Sequence, residues 1–180
     1  VRHLPTFVSI EPANYCQLRC PECPVGQRSA KDAAHKAQNM SWDTYERILT
    51  QVQTAAHTIQ FYFQGEPLLN PLLPKMISRA REKGVFTIVS TNAQALTHSM
   101  VEELVKNGLN RIIVSIDGFS EESYAAYRVG GSLHQALDGL RCLREAKTRH
   151  QSSICIELQV LRLRSNEHEW QWIRQNYRKL

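Results

Sequence analysis

Two hydrophobic periods take turns along this chain, and that alternation limits the fold more than any other feature. Short runs rich in β-branched and aromatic residues read as strands at 7–10, 58–63, 86–89, 111–116 and 154–160. Between them, apolar residues recur at helical spacing. Ser41 caps a helix with Tyr45, Ile48, Leu49 and Val52 on one face. Asn70 and Pro71 open the next, which Gly84 ends. A third helix spans 97–106, a short one follows Ser120, and a longer one starts at Ser132. Asn166 reads as the N-cap of the last helix, with Glu169 completing a capping box.

Such alternation produces parallel strands covered by helices, either as an open doubly wound sheet or as a barrel. We read the chain as α/β, a partial (β/α) barrel of about five βα units, with residues 1–180 forming one domain. Hydrophobic residues at 42% and charged residues at 22% are an ordinary globular mixture. No run of about 18 apolar residues is present to span a bilayer, and nothing reads as a signal peptide. The first residue is Val1, and the last falls in the fifth unit, so the chain is expected to be part of a longer protein, truncated before a sixth strand. A fifth strand without a neighbour is an exposed edge.

The net charge is +5, and the excess lies after residue 140, where nine Lys and Arg face four acids. No aromatic stacking pattern accompanies them. They are read as the polar faces of helices, and nucleic acid is not expected as a partner.

Five cysteines are present, three of them as Cys16-Gln-Leu-Arg-Cys20-Pro-Glu-Cys23 just after the first strand. An odd, clustered set without a secretory signal argues for a metal site in a reducing compartment, taken as the cytoplasm. Three thiolates on one short loop can hold three corners of an iron–sulfur cluster and leave one iron open. The competing reading is structural zinc, which needs a fourth ligand, with His35 the nearest candidate. Cys142 and Cys155 lie in apolar helix and strand patterns and are expected to be buried, inert thiols.

The spacing C-x3-C-x2-C after a first strand resembles the radical SAM superfamily. The resemblance implies that Cys16, Cys20 and Cys23 bind a [4Fe–4S] cluster whose open iron chelates S-adenosylmethionine. It also implies that one electron, from a donor such as flavodoxin or ferredoxin, cleaves the cofactor to a 5′-deoxyadenosyl radical that abstracts hydrogen from substrate. Other motifs stand at later strand ends. Gln64-Gly65-Glu66-Pro67 is similar to the Gly-Gly-Glu segment that holds the cofactor's amino group, with Gln64 in place of the first Gly. Ser90-Thr91-Asn92 looks like the Thr-Asn-Gly turn, with Ala93 in place of Gly. Asn92 either faces the cofactor or closes an Asx turn. In similar enzymes Ser115 contacts the cofactor and Asp117 lies near the same pocket. Arg128, in a run similar to Arg-x-Gly-Gly-Ser, would meet the cofactor carboxylate. Where many members carry Asn and an aromatic in the cysteine loop, this chain has Gln17 and Glu22. The likeness is greatest to peptide and sulfatase maturases that carry a C-terminal SPASM domain, which implies a peptide or protein substrate. A small metabolite of the molybdopterin-precursor type, and a cluster- or zinc-binding interaction module without turnover, are the alternatives.

Overall fold

The computed structural model describes residues 4–28 and 36–179; His35 lies outside them. Five strands, β1 (Phe7–Ser9), β2 (Thr58–Gln60), β3 (Phe86–Thr91), β4 (Arg111–Ser115) and β5 (Cys155–Gln159), form one sheet in the order β1-β2-β3-β4-β5. All four pairings are parallel. Strand order equal to chain order, with a helix in each crossover after the first long loop, is the start of a barrel wall rather than a doubly wound sheet. Helices α1 (Trp42–Val52), α2 (Leu73–Glu82), α3 (His98–Lys106), α4 (Glu121–Tyr127), α5 (Leu133–Arg149) and α6 (Trp170–Asn176) supply the other layer.

The helix starts follow local chemistry. Ser41, Thr97 and Ser132 each accept the backbone N–H three residues on, which satisfies an otherwise orphaned donor. Ser120 and Ser123 form a reciprocal capping box at α4. The α2 helix begins later than its sequence suggests. Asn70 closes a turn by accepting from Leu72 N at 2.9 Å, and Pro74 occupies the first helical turn instead of Pro71.

The core lies between the sheet and the helices. Ile59, Met76, Ile77, Leu104 and Ile112 are fully buried there, and β3 is buried at most positions. Tyr45 brings its ring into this core and donates its hydroxyl to the Met76 carbonyl at 2.7 Å, so the polar end of the ring is satisfied.

Three expectations are corrected. Cys155, on β5, is exposed, and β5 pairs only with β4 among the described residues; Cys142, on α5, is half-buried against the core. The capping box at Asn166 does not form. Glu167–Glu169 is instead a 3-10 turn, and Asn166 turns inward to donate to the Asp117 carbonyl at 3.1 Å and the Leu161 carbonyl at 2.7 Å. Glu169 reaches across to α4, where it accepts from Phe119 N at 2.8 Å and Ser123 Oγ at 2.7 Å. The β2 strand also ends at Gln60, short of the aromatic run that follows it.

Candidate active site

The three thiols of the cysteine loop line one cavity of about 200 Å³ at the C-terminal end of the sheet. The loop is held by its own backbone and by its neighbours. Cys23 N donates to the Cys20 carbonyl at 3.1 Å, and Arg19 N donates to the Val129 carbonyl at 2.9 Å. The second bond ties the cysteine loop to the loop that carries Arg128. Cys16 Sγ accepts from Leu18 N at 3.4 Å and from Asn92 Nδ2 at 3.3 Å. Burial pushes the Cys16 thiol up to about 11, against the pull of the Leu18 N–H, and the charges of Glu66, Cys20 and Cys23 push the same way. Burial also raises Cys20, while the neighbouring Arg128 charge draws it down.

The segment after β2 supplies the opposite wall. Gly65 packs so close to the chain before Cys16 that a Cβ there would stand 1.8 Å from the Ala13 carbonyl oxygen. Glu66 is 2% exposed and its carboxylate is taken up by the protein. Oε1 accepts from Thr91 Oγ1 at 2.7 Å and Leu68 N at 3.1 Å, and Oε2 accepts from Asn92 N at 2.8 Å. Burial raises the Glu66 carboxyl above the ordinary range, and these donors oppose the rise. Glu66 is thus a buried knot between the loops after β2 and β3.

Asn92 does two things at once. Its Oδ1 accepts from Gln94 N at 3.0 Å, which is the Asx turn, while its Nδ2 points at Cys16. Gln17 Nε2 also donates to Asn92 Oδ1, at 3.2 Å. Ser115 lines the cavity and donates to Gln159 Oε1 at 3.1 Å. Arg128 lines it too, with its Nη2 2.5 Å from Asp117 Oδ2. Asp117, expected near the same pocket, is not among its lining residues. Asp117 is fully buried behind Arg128, and its Oδ1 accepts from Leu161 N at 2.7 Å. It reaches the site only through the guanidinium.

The residues present suit a cluster and a zwitterionic cofactor. Three thiols from one loop face one cavity. Among the described residues, no three Cys, His, Asp or Glu groups converge for a single metal ion. The Nε of Arg128 is buried without a hydrogen-bond partner, a free donor beside the cavity for an anionic group.

Residues 10–170 match the Radical SAM superfamily. The chain belongs to the radical SAM superfamily. It is 28% identical over 143 residues to the AdoMet-dependent heme synthase of Methanosarcina barkeri, covering 79% of this chain and 40% of that protein. It is 27% identical over 146 residues to the PqqA peptide cyclase of Granulibacter bethesdensis, covering 79% of this chain and 37% of that one. This radical SAM chain therefore spans well under half of the curated relatives it matches. Streptococcus suis SuiB bound to precursor peptide SuiA shares the fold, with a TM-score of 0.66 at 22% identity over 79% of this chain and 31% of that one.

Sequence reasoning overlooked several wall residues. Tyr62, Phe63 and Tyr127 all line the cavity. Phe63 is 71% exposed, and it is the last residue of the run read as the second strand. The signal for these residues is position, since side chains just beyond a barrel strand's C-terminal end face the site. Glu11 was overlooked as well, although it is a charged residue at the end of β1.

Proposed function

We propose that this chain, residues 1–180, is the core domain of a radical SAM enzyme in which Cys16, Cys20 and Cys23 hold a [4Fe–4S] cluster. Gly65, Glu66, Asn92, Ser115 and Arg128 build the place for S-adenosylmethionine beside it. The observation that carries this reading is the convergence on one cavity of three thiols from one loop with residues from four later segments. When bound, the cluster supplies one electron, drawn from a flavodoxin- or ferredoxin-type donor, for the reductive cleavage of S-adenosylmethionine that starts hydrogen abstraction from substrate. The protein's own residues hold and orient. N–H groups of Leu18 and Asn92 stabilise charge on the Cys16 sulfur. Arg128, held by Asp117 from behind, offers donors to the cofactor carboxylate or to a ligating sulfur. Glu66 keeps the loops after β2 and β3 in one arrangement.

The substrate we favour is a peptide or protein, supported by the likeness to PqqA peptide cyclase and to SuiB. The second reading is a small metabolite, which the likeness to AdoMet-dependent heme synthase supports. A C-terminal SPASM domain in the longer protein and a cytoplasmic setting belong to the same proposal. No helix among the described residues is long and apolar enough to cross a membrane.

Anaerobic reconstitution with iron and sulfide tests the reading. The expected result is about four irons per chain and release of 5′-deoxyadenosine from S-adenosylmethionine under dithionite. Stoichiometric zinc without cofactor cleavage would overturn it, and a Cys20→Ala variant that keeps a full cluster would overturn the ligand assignment.

A further inference from the structure

Glu11 stands at the end of β1, five residues before Cys16, and takes no part in the wall of the cavity. Its Oε1 accepts two successive backbone N–H groups from the segment after β2, Gln64 N at 3.0 Å and Gly65 N at 2.9 Å. A third bond, Glu66 N to the Tyr15 carbonyl at 2.9 Å, stitches the same two segments together a few residues on. The close approach of Gly65 to Ala13 completes the seam.

The capture of those two N–H groups has a geometric consequence. A peptide unit is planar and trans, so its carbonyl points opposite to its N–H, and no cis bond occurs among the described residues. The N–H of Gln64 shares its peptide unit with the Phe63 carbonyl, and the N–H of Gly65 shares its unit with the Gln64 carbonyl. Drawing both N–H groups onto Glu11 turns both carbonyls away from β1. Phe63, Gln64 and Gly65 line the cavity beside the thiols. The Glu66 carboxylate is meanwhile occupied by Thr91, Asn92 and Leu68 donors. The Phe63 and Gln64 backbone carbonyls are thereby acceptors that this segment offers a cation.

We propose that Glu11 is a positioning residue for S-adenosylmethionine: by holding the Gln64 and Gly65 amides it aims the Phe63 and Gln64 carbonyls as an acceptor pair for the cofactor's methionyl ammonium. The inference rests on the proposed cofactor site. It assigns the ammonium-binding capacity of the segment to backbone oriented by Glu11, with Glu66 serving to tie the loops.

The test compares the reconstituted wild-type chain with Glu11→Ala, Glu11→Asp and Glu11→Gln, reading iron content, the cluster spectrum and two binding constants. One ligand is S-adenosylmethionine; the other is 5′-methylthioadenosine, which keeps the nucleoside and its sulfur, as a neutral thioether, but lacks the methionyl ammonium and carboxylate. Glu11→Ala is expected to keep its iron, bind S-adenosylmethionine about tenfold more weakly through loss of two charge-assisted hydrogen bonds, and bind 5′-methylthioadenosine like wild type. Glu11→Gln, whose side-chain oxygen still accepts both amides, restores most of the lost affinity. Glu11→Asp is a methylene too short to reach both and stays weak, and it carries the test if the alanine variant does not fold. Equal weakening of both ligands, or unchanged affinity for S-adenosylmethionine in Glu11→Ala or Glu11→Asp, overturns the proposal. If wild type binds no S-adenosylmethionine, the cofactor site itself fails, which is a distinct result.

Discussion

Ala93 has a φ of 66° and no exposed surface. The turn after β3 therefore keeps the left-handed geometry that glycine usually provides, and the alanine Cβ crowds the following carbonyl at a cost of about 1–2 kcal/mol. Thr91 Oγ1 accepts from Ala93 N at 3.0 Å and helps hold the turn. Ala93→Gly is therefore expected to be neutral or stabilising by up to about 1 kcal/mol, unlike most buried Ala→Gly changes; urea denaturation of the cluster-free chain reads this directly. Gly65→Ala is the opposite case. Its Cβ would meet backbone rather than a movable side chain, so a loss of about 1–3 kcal/mol or more is expected by the same measurement.

The Asp117–Arg128 pair also belongs to the residue scale. Asp117 is fully buried and the Arg128 side chain is 14% exposed, so neither charge is well solvated. Removing one partner leaves the other charge uncompensated. Asp117→Ala is expected to destabilise by about 3–5 kcal/mol, whereas Asp117→Ala combined with Arg128→Met recovers part of that. A double variant no better than the single would show that the loss comes from the Leu161 N–H bond instead.

Among the elements, α6 is tied down less by its own start than by Glu169, whose bonds run to Phe119 N and Ser123 Oγ. Burial alone would raise the Glu169 carboxyl. The hydrogen bonds from Ser123, Phe119 and Ser120 outweigh it and hold the group below its ordinary 4.5. Folded protein thus binds this proton less readily than unfolded protein does. The stabilisation is present above pH 4.5 and is lost as pH falls through the depressed folded value. Glu169→Gln is expected to flatten the fall of Tm over this acid range while leaving α1 to α3 untouched. An identical acid slope in the variant would refute the assignment.

At the scale of the whole molecule, the sheet has two edges among the described residues, β1 and β5. Cys155 N donates to the Asn110 carbonyl, and Ile116 N donates to the Gln159 carbonyl. Residues 155, 157 and 159 thus face β4, and the backbone groups of Ile156 and Leu158 face outward. An unpaired parallel edge invites association. Leu158→Pro removes an outward N–H without touching the β4 ladder. Sedimentation velocity is expected to show self-association of the chain that this change reduces; equal association in both would clear the edge.

Much of the architecture was legible in the sequence because it follows from local rules. The two hydrophobic periods marked all five strands and their helices, and Ser41, Thr97, Ser120 and Ser132 cap helices where short-range hydrogen bonding says they should. The C-x3-C-x2-C spacing marked the loop whose thiols meet in the cavity. Tertiary structure decided the partners. Asn166 and Glu169 have the spacing of a capping box, yet each found a better-satisfied site across the fold. Glu66 turned out to be a buried link within the cavity wall and Asp117 one behind it, and Glu11 acquired its role only when β1 lay beside β2. The sequence by itself determined which segments are strands and helices and which loop carries the thiols, because those depend on neighbours in the chain. Only the tertiary structure decided where each buried carboxylate finds its donors, because those donors lie tens of residues away and burial makes satisfying them obligatory.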